Sequence, residues 1–413
     1  MLINSKNKVT IIEELITPDN LKYESVERKG LGHPDTLVDG LVETAEIEYA
    51  QYCLNQFGCI PHHNFDKAML IGGMCKQLFC GGKFSQPIKL IFMGRGSKNF
   101  GTQSIPIYDI QSNAARRYLK RLLPHLDIDD PKQFICESIT SSNSTRDNWF
   151  TPESIADLPE YNHTPTANDT VMMVSYYPLT VCERLALDLE DYFYSTNNEG
   201  LLYPKFSEFG QDIKSMVVRK EGKIFATLTV PQIATETRDA EEYFAREALL
   251  REQLKNYVNS KYQDYDIELI VTPQTLCKNP VPYLVTGGSC TDFGEEGAVG
   301  RGNKTHGIIS SFRPNSMEAP HGKNPTYFAG KIFSYMADVI AKEIFQKTAS
   351  PNQVLIQSNM GDEIFNPSNI IVSTNNRVDQ KIVNNIVEEV LALGRKITLE
   401  IINKKYFVPR INI

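Results

Sequence analysis

Short apolar runs that end at glycines alternate along the chain with longer stretches whose apolar residues recur every three or four positions. Ala68–Gly73 (AMLIGG) and Pro87–Gly94 (PIKLIFMG) predict buried strands. Ile213–Arg219 and Lys223–Val230 predict a hairpin turning at Lys220-Glu221-Gly222. Further strands are predicted at Ile267–Thr272, Tyr283–Thr286, Val354–Gln357 and Ile370–Ser373. Helices are predicted over Ile107–Leu123, basic in its latter half, and over Arg238–Tyr262, with a mixed-charge exposed face. In Phe328–Phe345 the apolar positions Phe328, Ile332, Met336, Val339, Ile340 and Ile344 mark one buried face. Ile382–Lys404 predicts another helix, interrupted near Gly394. These last two helices are expected to cover the sheet of 354–357 and 370–373, which is an α+β layered architecture. Thr140–Pro165 is polar and reads as a long surface loop, of the kind that carries function or moves. Asn197–Gly200 reads as a turn.

Composition adds mainly exclusions. At 413 residues the chain is long for one core, so two or three packed subdomains are expected. A net charge of -7 argues against a chain that coats nucleic acid through counterion release. No run reaches the ~18 apolar residues of a membrane span, and the start MLINSKNKVTIIEEL lacks a secretory pattern. The eight cysteines form no C-x-x-C pair. The expectation is a cytoplasmic protein with reduced, mostly buried thiols and neither nucleic-acid nor membrane partners.

Three segments are too polar and glycine-rich for packing alone. In Glu27–Gly40 (ERKGLGHPDTLVDG), a helix starting near Pro34 would place Asp35 and Asp39 on one face beside His33. Paired carboxylates suit a hard cation with a phosphate contact; the alternative is that Asp35 only caps a helix and His33 lies on the surface. Gly294–Asn303 (GEEGAVGRGN) is followed by RPNSME at 313–318 and HGKNP at 321–325. Arg301, Lys304, Arg313, Lys323 and Lys331 cluster here in an acidic protein, which fits phosphate binding. No Walker A loop or strand-borne G-x-G-x-x-G is present, and a solvated surface loop is the competing reading. The third segment is Ala167–Thr170 (ANDT), at the mouth of the apolar run Val171–Tyr177, where either a ligand or an Asx-turn fits. The neighbours His62 and His63 point apart on most backbones, so hydrogen bonding in a pocket wall is expected over a shared metal.

Together these segments resemble the archaeal-type S-adenosylmethionine synthetases. The resemblance rests on G-x-G-H-P-D at 30–35 with Asp39-Gly40, V-E-R-K at 26–29, H-H-N-x-D at 62–66 and A-N-D-T at 167–170. Its strongest block is G-x-V-G-R-G-N at 297–303, running through F-R-P-x-S-M-E-A at 312–319 to G-K-N-P at 322–325 and G-K-I at 330–332. It implies three related α/β subdomains around a pseudo-threefold axis, divided near 1–125, 126–275 and 276–413 with interleaving allowed. It further implies a homodimer with active sites between subunits. The reaction implied is adenosyl transfer from ATP to methionine, with Mg²⁺ and a monovalent cation such as K⁺, and cleavage of the released triphosphate. His33, Arg301, Lys323 and Asp169 would be catalytic. Lys29, Asn168, Asn303, Arg313 and Lys331 would join them at the nucleotide, Asp35 and Asp39 would hold metal, and His63, Asp66 and Met74 would line the substrate pocket.

Some positions depart from the family pattern. Met74 replaces a polar residue, Ser141–Asp147 replaces G-x-G-S-x-D, Val171–Ser175 replaces S-F-G-V-G, and Tyr327-Phe328 falls where the pattern has polar side chains. The departures leave two further readings open: adenosyl transfer to a different thioether or amino acid, and a non-catalytic regulatory paralogue.

Overall fold

The computed structural model describes residues 9–197 and 200–409. The turn expected at 197–200 therefore lies partly outside the described residues. Its helices are α1 (Pro34–Phe57), α2 (Ile107–Leu122), α3 (Pro159–Asn162), α4 (Val181–Asp191), α5 (Ala240–Lys261), α6 (Ala329–Thr348), α7 (Gln380–Ala392) and α8 (Lys396–Asn403).

Three larger sheets carry these helices, and each draws strands from distant parts of the chain. The first runs Phe134–Ser138, Ile88–Phe92, Ala68–Ile71 and Gly297–Ala298, with α1 and α2 against it. The second runs Ile267–Val271, Lys223–Thr229, Lys214–Lys220, Tyr23–Lys29 and Ile309–Ser310, with α4 and α5 against it. The third runs Val9–Ile12, Asn369–Thr374, Asn352–Ser358 and Val171–Tyr177 under α6, on which α7 packs. This is the α+β arrangement of sheets covered by helices that the apolar patterning predicts.

Local chemistry explains the elements. The hairpin of Lys214–Lys220 and Lys223–Thr229 turns through Glu221 and Gly222, whose φ values of 51° and 92° are those of a turn matched to strand twist. Gly394, at φ 53°, ends the helical path between α7 and α8 where the sequence predicts the interruption. Strand Tyr23–Lys29 buries alternate residues and pairs Lys214–Lys220 across its whole length; no apolar run announces it, because Glu24 and Arg28 occupy its buried face.

Helix α1 organises the molecule. Pro34 opens it, His33 caps it by accepting the Asp35 N–H on Nδ1 at 3.2 Å, and left-handed Gly58 closes it. Leu37, Val38, Leu41, Val42 and Ala45 are fully buried on it. Asp35, Asp39, Glu43 and Glu46, spaced at four, four and three residues, form a buried acidic stripe along one side. Buried carboxylates are costly unless paired, so their partners define the site.

Candidate functional site

The segment from 297 to 331 runs along the acidic stripe and meets each carboxylate in turn. At the N-terminal end, Asp35 Oδ1 accepts from the Ala298 N–H at 3.1 Å and Oδ2 from Lys29 Nζ at 2.8 Å. Lys29 Nζ also donates to the Arg301 carbonyl at 2.8 Å. Asp39 Oδ1 accepts from the Gly300 N–H at 2.8 Å. Asn303 holds Lys29 from both sides, accepting its N–H at 3.0 Å and donating to its carbonyl at 2.7 Å. Gly297 permits the approach: a Cβ there would lie 2.2 Å from the Pro34 carbonyl oxygen. The glycine loop is thus folded onto the start of α1. Lys29, His33, Asp35, Asp39 and Asn303, with the main chain of Arg301, come together around the N-terminal turns of α1, and a helix N-terminus is suited to anions.

Electrostatics sharpen the picture. Burial holds the His33 imidazole below its ordinary value, against the opposing pull of Asp212 and Asp35. The ring is therefore neutral near pH 7, and because Nδ1 accepts from the Asp35 N–H, its proton sits on Nε2 as a hydrogen-bond donor. Burial pushes Asp39 up to about 7, with Gly300 N–H opposing and Asp35 reinforcing the rise.

Deeper along α1 a second group of cations forms. Lys331 Nζ is fully buried and contacts Glu43 at 2.8 Å, Glu46 at 2.9 Å and the Lys323 carbonyl at 2.9 Å. Burial pushes Glu43 up to about 7 despite Lys331. Burial also presses on Glu46, but Lys331 and the His63 hydrogen bond outweigh it and hold that carboxyl below its ordinary value. Lys323 is ion-paired with Glu318 and lies 4.6 Å from the Phe328 ring centroid. Burial pulls its ammonium down to about 8, while the charges of Asp66 and Asp169 pull it up.

Several expected residues lie elsewhere or are already committed. Lys331 is sealed between Glu43 and Glu46 and has no surface to offer a phosphate. Arg313 is buried against Glu183, with Nε to Oε1 at 2.9 Å, and stacks 4.1 Å above the Tyr176 ring. Met74 is 59% exposed and pairs with Gln86 in a two-stranded hairpin. His63 is fully buried between the Pro61 carbonyl and Glu46, and His62 turns the other way, to Glu160 and the Trp149 carbonyl. Asp66 pairs with Lys67 at 2.5 Å. Asn168 accepts the Ala329 N–H at the start of α6, and Asp169 accepts the Thr170 N–H. The 140–165 segment is anchored rather than loose. Trp149 stacks on His62 with centroids 3.7 Å apart, and the Tyr161 hydroxyl accepts the Ile60 N–H.

Sequence reasoning missed Glu43, Glu46 and Glu318. The first two continue the Asp35–Asp39 spacing, so the stripe was readable. Glu318 meets Lys323 only through the fold of the loop between them.

Comparison with known proteins identifies the family over nearly the whole chain. A family model described as S-adenosylmethionine synthetase (AdoMet synthetase) matches residues 8–405. An uncharacterized protein of Streptococcus pyogenes serotype M3 is 47% identical over 96% of this chain and 96% of its own length. An S-adenosylmethionine synthase of Saccharolobus islandicus is 29% identical over 94% of this chain and 96% of its own. A solved S-adenosylmethionine synthetase of Campylobacter jejuni, described as unusual, superposes with a TM-score of 0.60 at 12% identity, covering 92% of this chain and 89% of that one.

Proposed function

As the chain belongs to the S-adenosylmethionine synthetase family, we propose that it transfers the adenosyl group of ATP to the sulfur of methionine. The observation that carries the proposal is the glycine loop 297–303 folded onto the GHPD-led start of α1. It sets the Lys29 ammonium between Asp35 and the Arg301 carbonyl beside the His33-capped helix start, which in this reading is where the triphosphate lies. In the reaction a C5′–S bond forms as the C5′–O bond breaks, and the electron pair leaves with triphosphate. The thioether needs no base, so the barrier is dominated by charge developing on the leaving group. Preorganised donors there are the main catalytic resource. Neutral His33 donates from Nε2, Lys29 and Arg301 supply positive charge, and Lys323 joins them once Glu318 lets go. Asn303 positions Lys29, and Asp169 stands near Lys323 on the ribose side. In this reading the working form is a dimer, and the released triphosphate is cleaved to phosphate and pyrophosphate.

Among the described residues no three His, Cys, Asp or Glu side chains gather as a metal centre. Asp35 and Asp39 nevertheless fit Mg²⁺, which is commonly held by one or two carboxylates together with substrate phosphates. Asp39 in particular is a buried acid whose charge is poorly compensated. When bound, the ion would neutralise charge on the triphosphate.

The test is direct. The protein is incubated with ATP, Mg²⁺ and methionine, and S-adenosylmethionine is measured by mass spectrometry beside phosphate release. Product above a His33→Ala control supports the reading, and its absence with methionine refutes it. A second reading, transfer to another thioether, is favoured by Met173. The family pattern S-F-G-V-G becomes Val171–Ser175 here, and Met173 lines a cavity beside the site. Turnover with other thioethers but not methionine would select it; turnover with none would leave the regulatory paralogue.

A further inference from the structure

Among the described residues the buried Lys and Arg side chains are Arg28, Arg313, Lys323 and Lys331, and each meets a carboxylate. One pair is unlike the rest. Arg28 with Glu190, Arg313 with Glu183 and Lys331 with Glu43 and Glu46 are closed, with no side chain more than 3% exposed. Lys323 with Glu318 is lopsided: the lysine side chain is 7% exposed and the glutamate 36%. Breaking a closed pair strands a charge in the interior. Glu318 can instead exchange its lysine for water.

The two partners are also held differently. Lys323 forms a β-bridge with Asn64, its carbonyl accepts from Lys331 Nζ at 2.9 Å, and the neighbouring Gly322 N–H donates to Glu43 at 2.8 Å. Asp66 and Asp169 attract its ammonium by charge, without a hydrogen bond. Glu318 lies in the irregular stretch between Arg313 and Gly322, beside Met317, which is 85% exposed. Its N–H donates to Ser316 Oγ, two residues back, at 3.1 Å. Among the described residues its carboxylate meets Lys323 alone. Its stem rests on the start of α6 where Gly330 has no side chain: a Cβ there would lie 2.9 Å from Glu318 Cγ. A fixed cation thus faces a carboxylate on a segment with few bonds to break.

We propose that Glu318 is a built-in competitor for the phosphate site at Lys323. With the cleft empty it neutralises the buried ammonium. Phosphate binding exchanges one anion for the other and sends the carboxylate into water. The inference rests on the reading that puts Lys323 at the phosphates, and it adds an occupant that the ligand must displace. Being tethered, Glu318 competes at an effective concentration on the order of millimolar. Any ligand that needs Lys323 is therefore weakened by one constant factor.

The probe is inorganic tripolyphosphate with Mg²⁺, and its affinity for the full-length protein is measured by calorimetry at pH 7. Glu318→Gln, isosteric and uncharged, should tighten it at least ~5-fold, the upper end for a partly exposed ion pair. Gly330→Ala keeps the Glu318 charge but crowds its stem, meeting Val171 and Met173 only at 3.6 and 3.8 Å, and should also tighten binding. Lys323→Met should weaken it. Removing a negative charge near a polyanion also helps through the general field, but that gain persists without Lys323, whereas release of a competitor does not. Glu318→Gln made in the Lys323→Met background should therefore change affinity by less than ~2-fold, the margin for independent sites. Unchanged binding in Lys323→Met, or no binding by either wild type or Glu318→Gln, would end the phosphate reading of Lys323 and the proposal with it. Weaker binding in Lys323→Met without tightening in Glu318→Gln, or equal tightening in both backgrounds, would overturn the competitor alone. A wild-type crystal with Mg²⁺ and tripolyphosphate decides the matter even if a variant does not fold. Glu318 turned away, with a phosphate oxygen on Lys323 Nζ, supports the proposal; Glu318 still on Lys323 beside bound ligand overturns it.

Discussion

Replacing Lys331 by Met tests whether this lysine works through the interior rather than on substrate. Met approximates the volume of the lysine stem, so no large cavity opens and the lost quantity is charge. Glu43 and Glu46 would remain, both with fully buried side chains, 2.8 and 2.9 Å from where the ammonium was. Removing one partner from a buried ion pair costs about 3–5 kcal/mol, mostly from the charge left uncompensated. The loss has a ceiling, since a carboxyl can take up a proton instead, at about 1.4 kcal/mol for each tenfold change in its ionisation equilibrium. The sign follows from linkage. A carboxyl whose folded value is raised keeps its stability at low pH and loses it as pH rises through that value. Glu43 is already pushed up to about 7 with Lys331 in place, and the variant pushes both carboxyls higher. The deficit against wild type should therefore be small near pH 5 and grow towards pH 8. Urea unfolding at fixed protein concentration, at both pH values, measures it. Adding Glu43→Gln and Glu46→Gln to the variant should recover part of the loss at pH 8. A deficit under ~1 kcal/mol at pH 8, or one that shrinks as pH rises, would refute the assignment.

Other outcomes follow from the same geometry. His33→Ala should lower kcat for adenosyl transfer at least ~100-fold, the scale of one transition-state donor; it also removes the α1 cap, worth about 1 kcal/mol, so the melting temperature should fall by only a few degrees while the fold is kept; wild-type turnover would remove His33 from the mechanism. Burial pulls Lys323 down to about 8, so it loses charge as pH rises through that value. kcat/KM for ATP should fall above pH 8, and Lys323→Arg, which stays charged, should extend the plateau. Gly297→Ala would place a methyl 2.2 Å from the Pro34 carbonyl oxygen. The loop must then lift off α1, and kcat/KM for ATP should drop at least ~10-fold, the size of a misplaced positioning contact, while helix content by circular dichroism stays near wild type.

Much of this molecule can be read from its residues in order. Apolar periodicity marks α2, α5, α6 and the α7–α8 break, because a helix or strand must bury one face whatever it packs against. Gly297, Gly300 and Gly302 announce a backbone that approaches something closely, and His33-Pro34-Asp35 announces a helix start with a carboxylate in its first turn. What the order of residues cannot express is which charges are spent internally. Lys331 and Arg313 look like phosphate ligands beside Arg301 and Lys323, since a cation in a glycine-rich stretch carries the same letter whether it faces solvent or a buried glutamate. Only the fold sets Glu43 and Glu46 against Lys331, and Glu183 against Arg313. It likewise takes three-dimensional packing to enclose Arg28 and Asp338, 310 residues apart, around one cavity. Pattern along the chain reports burial, which is local and periodic, whereas charge pairing depends on distances that exist only after distant segments have packed.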